Sequence, residues 1–126
     1  MTTTKPATIE LETRSAREVV DITERVDALL GGARDGSCHL FLKHTTAGLM
    51  ILTGEAGVPE DIMDILQTLV PPRAYRHDSA AHVGAHFLSG LVGPSVHALG
   101  EFQRIVLMEF EGPRRRDIEL RLLAEA

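Results

Sequence analysis

One segment constrains the fold of this chain more than any other: Ile105-Val106-Leu107-Met108-Glu109-Phe110, apolar at every position but one. An unbroken apolar run of this length between turn signals predicts a central strand. Glu109 inside it has two readings. It points at solvent on a one-sided strand, or it is held in a cleft by a cation or a metal. Burial would raise its pKa and suit it to acid/base work.

The rest of the chain supplies partners for that strand. Residues 7–13 alternate, with Ala7, Ile9 and Leu11 against Thr8, Glu10 and Glu12, the pattern of a half-buried strand. Ser15 and Glu18 form a capping-box signature, which predicts a helix with Val19, Ile22, Val26 and Leu29/Leu30 as its stripe and Gly31-Gly32 as its end. After Gly36, a strand from Ser37 to His44 puts Cys38, Leu40, Leu42 and His44 on one face, so the imidazole lies in line with core positions. Gly48 to Leu52 reads as the next strand, pairing with its predecessor. Pro59-Glu60-Asp61 opens a helix with Ile62, Ile65, Leu66 and Leu69 as its apolar stripe, and Pro71-Pro72 stops it. A polar loop over 73–79 precedes a short helix from about Ala80 to Leu91, closed by Gly93-Pro94. Ile118, Leu120 and Leu122 alternate with charges in a last strand. Strands broken by two or three helices, without regular alternation, indicate a single α+β domain.

With 126 residues, no linker-like stretch and 44% hydrophobic residues, the chain builds one core. There is no Trp, one Tyr and four Phe, so that core is aliphatic. The net charge of −5 argues against nucleic-acid binding, although Arg114, Arg115 and Arg116 form a local basic patch. The single Cys38 cannot form an internal disulfide, its place in an apolar alternation reads as buried packing, and the pattern fits a reducing cytoplasm. No segment has membrane-spanning length, and the polar residues 2–6 lack the apolar core of a secretion signal.

Chemistry concentrates in histidine. Of six histidines, His77, His82, His86 and His97 fall between Tyr75 and His97. Imidazole titrates near neutral pH and is a frequent ligand of divalent metals. His82 and His86 share one face of a helix at i, i+4 spacing, but no Glu follows His82, so this is not the zinc-protease motif. In Arg76-His77-Asp78 a carboxylate stands beside an imidazole and could orient it, against the alternative of an ordinary solvated loop. His97, near Gly100 in an expected turn, is given no role. Arg114 and Arg116 alternate along an expected strand start and so project to one side, a clamp for phosphate or carboxylate, with Arg115 pointing away. The competing reading is a charged hairpin turn. No nucleophile elbow, phosphate-cradling glycine loop, dinucleotide fingerprint or cysteine cluster is present.

Taken in order, His44-Thr45-Thr46-Ala47, Tyr75-Arg76-His77-Asp78, Ala85-His86 leading to Gly93-Pro94-Ser95, Gly100-x-x-Gln103 and Glu109-Phe110-Glu111-Gly112-Pro113-Arg114-x-Arg116 resemble the YjbQ-like family, small proteins sometimes labelled secondary thiamine-phosphate synthase. The resemblance covers nearly the whole chain. It implies a compact α+β homotrimer of antiparallel or mixed sheet packed with two to three helices, holding a divalent metal, zinc first, near the subunit interface. Carried over by position, His44, His77 and His86 are the metal ligands. Asp78 and Glu109 are the catalytic carboxylates, and Thr45, Thr46, Arg114 and Arg116 contact a small phosphorylated substrate. His82 and His97 have no counterpart in the pattern. The chain departs from it at Thr53 to Pro59, where relatives carry an Asn-Glu-Asn-x-Asp-Pro stretch. It departs again at Phe102, where they carry tryptophan, and in the short connection from Ser95 to Gly100.

Overall fold

A computed structural model describes residues 2–3, 6–30, 37–98 and 103–124. Eight strands and three helices are assigned within them: β1 (Thr2–Thr3), β2 (Ala7–Glu12), β3 (Glu18–Asp21), α1 (Thr23–Leu30), β4 (Ser37–Leu42), β5 (Ala47–Thr53), α2 (Val58–Gln67), α3 (Ala80–Val92), β6 (Ser95–Ala98), β7 (Gln103–Glu109) and β8 (Arg115–Ala124). All strand pairs are antiparallel. In one sheet β8 lies between β4 and the β1/β2 edge, with β6 outside β4; in the other β7 lies between β3 and β5.

The unbroken apolar run of β7 has a direct cause: both its faces are covered. Ile105 and Leu107 face the space between the sheets, with Leu40, Leu42, Ile118 and Leu120 of the first sheet, Ile22 just before α1 and Val26 within it. Val106, Met108 and Phe110 face the other way, against Met63 and Leu66 of α2 and Ala85 and Leu88 of α3. Side chains alternate along a strand, so Glu109 continues the row of Ile105 and Leu107 into the space between the sheets. By the same count Arg116 continues the row of Ile118 and Leu120, and Thr13 that of Ile9 and Leu11. Three inward rows thus end in three polar residues at one end of the sandwich.

The α+β single domain stands, with several elements differing from expectation. Residues 18–21 are a strand, not the start of a helix. Glu18 does reach back to backbone N–H groups, those of Arg14 at 2.7 Å and Ser15 at 3.3 Å, but it closes a turn there. The β-branched Val19 and Val20 then cover the edge of β7, and α1 begins at Thr23, whose N–H is taken by Asp21 Oδ1 at 2.9 Å. β5 does not pair with β4. Residues 43–46 carry the chain from one sheet to the other, because β4 is already flanked by β8 and β6. His97 lies in β6 opposite His39 rather than in a turn. Gly31, Gly32, Gly36, Gly100 and Phe102 lie outside the described residues. Cys38 is buried as expected. Among the described residues, no helix is long and apolar enough to cross a membrane.

Gly112 closes the polar end of the sandwich. Its N–H donates to Ala16 O at 2.9 Å, and a Cβ there would lie 2.2 Å from Ser15 O and 2.8 Å from Thr13 Oγ1. Backbone cannot yield as a flexible side chain can. Gly112→Ala is therefore expected to destabilise the fold by about 1–3 kcal/mol, read as a lower urea midpoint with an unchanged slope.

Candidate metal centre

Helix α3 places the histidines. Ser79 caps it, its hydroxyl accepting the His82 N–H at 3.3 Å, and Gly93, at φ 99°, lets the chain leave. Ala85, Leu88 and Ser89 face inward. Ser89 Oγ donates to Ala47 O at 2.6 Å and fixes the helix against β5. His82 and His86 stand one turn apart at the margin of that packed face, and the loop before the helix brings His77 beside them. The metal-binding atoms of the three rings all lie within 4.8 Å of one another.

The protonation of two rings follows from their partners. His86 Nδ1 is 2.9 Å from Thr45 O, and a carbonyl only accepts, so Nδ1 carries the proton. His82 Nδ1 contacts Glu111 Oε2 closely. Burial alone would push Glu111 up, but His82 and Arg114 outweigh it and hold the carboxyl below the ordinary glutamate value. Glu111 is then ionised and His82 also donates from Nδ1. With both Nδ1 atoms engaged by oxygen, the two Nε2 atoms face each other at 3.2 Å, a spacing that fits a proton or a metal ion shared between them. Two lone pairs at that separation repel unless a positive charge sits between them. Two nitrogens bound tetrahedrally at ordinary zinc distances lie about 3.3 Å apart. Oxygen acceptors fixing the far nitrogens of both rings are the usual support of metal-bound histidine.

The remaining sequence-derived residues take other places. His44 is half-buried, and its Nε2 accepts the Asp117 N–H at 3.2 Å. Burial and the neighbouring Arg116 hold its pKa below the ordinary histidine value, so the ring is neutral at pH 7. It lines the same cavity, of about 490 Å³, as His82 and His86, but is not one of the three converging rings. Thr45 and Arg114 open onto that cavity. Asp78 is exposed and its Oδ1 accepts the Ser79 N–H at 2.7 Å.

Glu109 and Arg116 meet inside the protein, 0% and 2% exposed. Arg116 Nε donates to Glu109 Oε1 at 2.9 Å, and Nη2 to Glu109 Oε2. Nη2 also donates to Thr46 O at 3.1 Å and Thr46 Oγ1 at 2.8 Å. Thr13 Oγ1 donates to Glu109 at 2.7 Å. The cation that holds Glu109 is thus Arg116, which borders the same cavity as Arg114 but is buried and engaged by Glu109 and Thr46. β8 begins at Arg115, whose partners are Glu10 and Asp117, while Arg114 sits before the strand and pairs with Glu111 at 3.0 Å.

Sequence reasoning missed His82 and Glu111. The i, i+4 spacing to His86 was the available signal for the first. For the second, only its place in the run before Gly112 pointed to the site.

A two-sheet α+β domain with a three-histidine cluster beside a basic cavity is the class these features define. The chain belongs to the UPF0047, YjbQ-like family, whose sequence profile matches residues 7–125. A UPF0047 protein of Archaeoglobus fulgidus is 37% identical over 125 residues, spanning 91% of this chain and 98% of its own. One from Mycobacterium tuberculosis is 38% identical over 112 residues, or 79% and 84% of the two chains. The crystal structure of a YbjQ-like protein of unknown function from Sulfolobus solfataricus superposes with a TM-score of 0.86 at 27% identity, covering 98% of this chain and 100% of its own. A conserved hypothetical protein of Thermus thermophilus gives 0.79 at 33% identity, covering 93% and 99%.

The pair also sets an acid response. Burial would raise Glu109, but Arg116, Thr13 and the Glu111 N–H together hold it below the ordinary value of 4.5. A carboxyl depressed on folding contributes stability that is complete above its unfolded pKa and lost as pH falls through the folded one. Glu109→Gln is expected to cost about 3 kcal/mol at neutral pH and to flatten the loss of stability below about pH 4.5, measured by urea denaturation across pH.

Proposed function

We propose that this protein holds one divalent cation, zinc, on His77, His82 and His86, and uses it on a small phosphorylated metabolite. The single observation that carries the reading is the pair of Nε2 atoms facing each other at 3.2 Å with both Nδ1 positions already bonded to oxygen. Three protein ligands leave a fourth position open, the arrangement of catalytic rather than structural zinc. Arg114, 53% exposed and paired with the partly exposed Glu111, can exchange that partner for a phosphate. Thr45 offers a hydroxyl at the same mouth. A metal and an arginine neutralising a departing pyrophosphate suit metal-assisted transfer. One candidate reaction, carried by the family resemblance, joins a pyrimidine pyrophosphate to a thiazole phosphate.

A second reading has its own observation. Glu109, one of the two expected catalytic carboxylates, is buried and locked to Arg116 and Thr13 instead of facing the cavity. That favours capture of a metal or phosphometabolite without turnover. Incubating the zinc-loaded protein with both substrates and following pyrophosphate release separates the readings: release that disappears in His82→Ala supports transfer, and tight binding without release supports capture.

The expected metal content is one zinc per chain in protein purified without chelator. It should be lost in the His82→Ala/His86→Ala double variant and kept in His44→Ala, as read by elemental analysis. Equal, negligible zinc in all three would overturn the metal reading.

The assembly reading is a homotrimer. Ile65, Leu69, Phe87 and Leu91 are each between 47% and 58% exposed, an apolar surface that association would cover. Light scattering is expected to give three times the 13.8 kDa chain mass; a monomer at micromolar concentration would refute it.

A further inference from the structure

We infer that the buried Glu109–Arg116 pair is a positioning device, setting the two oxygen acceptors that orient the His82 and His86 rings. Neither residue is among the hydrogen-bond partners of those rings, yet each ends one bond from a group that is. Glu109 Oε2 accepts the backbone N–H of Glu111 at 3.0 Å, so the residue whose carboxylate holds His82 hangs from Glu109. Arg116 Nη2 grips both oxygens of Thr46, and the peptide before Thr46 carries the Thr45 carbonyl that holds His86. The Phe110 N–H donates to Thr46 O at 3.1 Å and ties this arm to the end of β7.

The chemistry of the pair fits this role better than a purely stabilising one. Two well-packed apolar side chains would fill the space without the cost of desolvating two charges. They would offer no acceptor to the Glu111 N–H and no donor to Thr46. The planar guanidinium spans both tasks, binding the carboxylate along one edge and Thr46 from its outer nitrogen. A single rigid unit thereby fixes two arms that approach the histidines from different segments, residues 45–46 and residue 111.

The inference deepens the metal reading and rests on it for one of two readouts. The first needs no metal. Ring tautomers of His82 and His86 are read by long-range proton–nitrogen NMR on metal-free protein at mildly alkaline pH, with both protons expected on Nδ1. Glu109→Gln should move His82 away from that tautomer, while Arg116→Lys and Thr46→Val should move His86. Thr46→Val removes one hydroxyl and leaves the ion pair intact, so it reports even where a charge variant unfolds. The second readout is zinc affinity by chelator competition, expected to fall about 10–100-fold in each variant and to stay unchanged in the exposed control Arg121→Ala. Circular dichroism verifies the fold. Wild-type tautomers and wild-type zinc affinity in all folded variants would overturn the positioning role. Should the wild type itself take up no zinc, the metal reading falls and the tautomers alone decide this one.

Discussion

The arrangement turns on one buried contact, the ion pair between Glu109 and Arg116. Two charges brought out of water repay their desolvation only with good geometry and further hydrogen bonds. Here Arg116 meets Glu109 through both Nε and Nη2, and the remaining capacity goes to Thr13, Thr46 and the Glu111 N–H. Among the described residues no buried side-chain nitrogen or oxygen lacks a partner. The pair sits where the two sheets meet, one member from each, and so pins β7 to β8 at the end where loops emerge.

That position links core to chemistry. An apolar interior ends in a polar plug, and the chain leaving the plug immediately becomes the wall of the cavity: Thr45 and Thr46 on one side, Glu111 and Arg114 on the other. Helix α3 closes the third side, held by Ser89 to Ala47 and by His86 to Thr45. Packing of the helix on β5 and alignment of the imidazoles are therefore one event.

Much of this is legible from residue order. The apolar run of β7 implies a central strand, and one reading of Glu109 has a cation holding it in a cleft. Strand parity, carried from Ile118 and Leu120 back to Arg116, names that cation. The count does not extend to Arg114, which lies before the strand, although both arginines border the cavity. Ser15 and Glu18 look like a helix cap because the same side-chain-to-backbone bonds also close turns, and only tertiary demand for an edge on β7 decides between them. His82 carries the right spacing but lies outside the ordered motifs. Glu111 gives almost no signal. Its importance arises from a contact 29 residues away in sequence.

The supports of the two facing imidazoles differ in kind. His86 leans on a main-chain carbonyl, which every amino acid at position 45 would supply, whereas His82 leans on the carboxylate of Glu111, which one substitution removes. Sequence drift at Thr45 can alter what the cavity mouth touches while leaving His86 in register. Change at residue 111 acts on ring basicity itself, since a carboxylate partner makes an imidazole a stronger donor than a carbonyl does. The centre therefore has a fixed half and an adjustable half, and the adjustable half is the one through which members of this fold could differ in the ion they prefer.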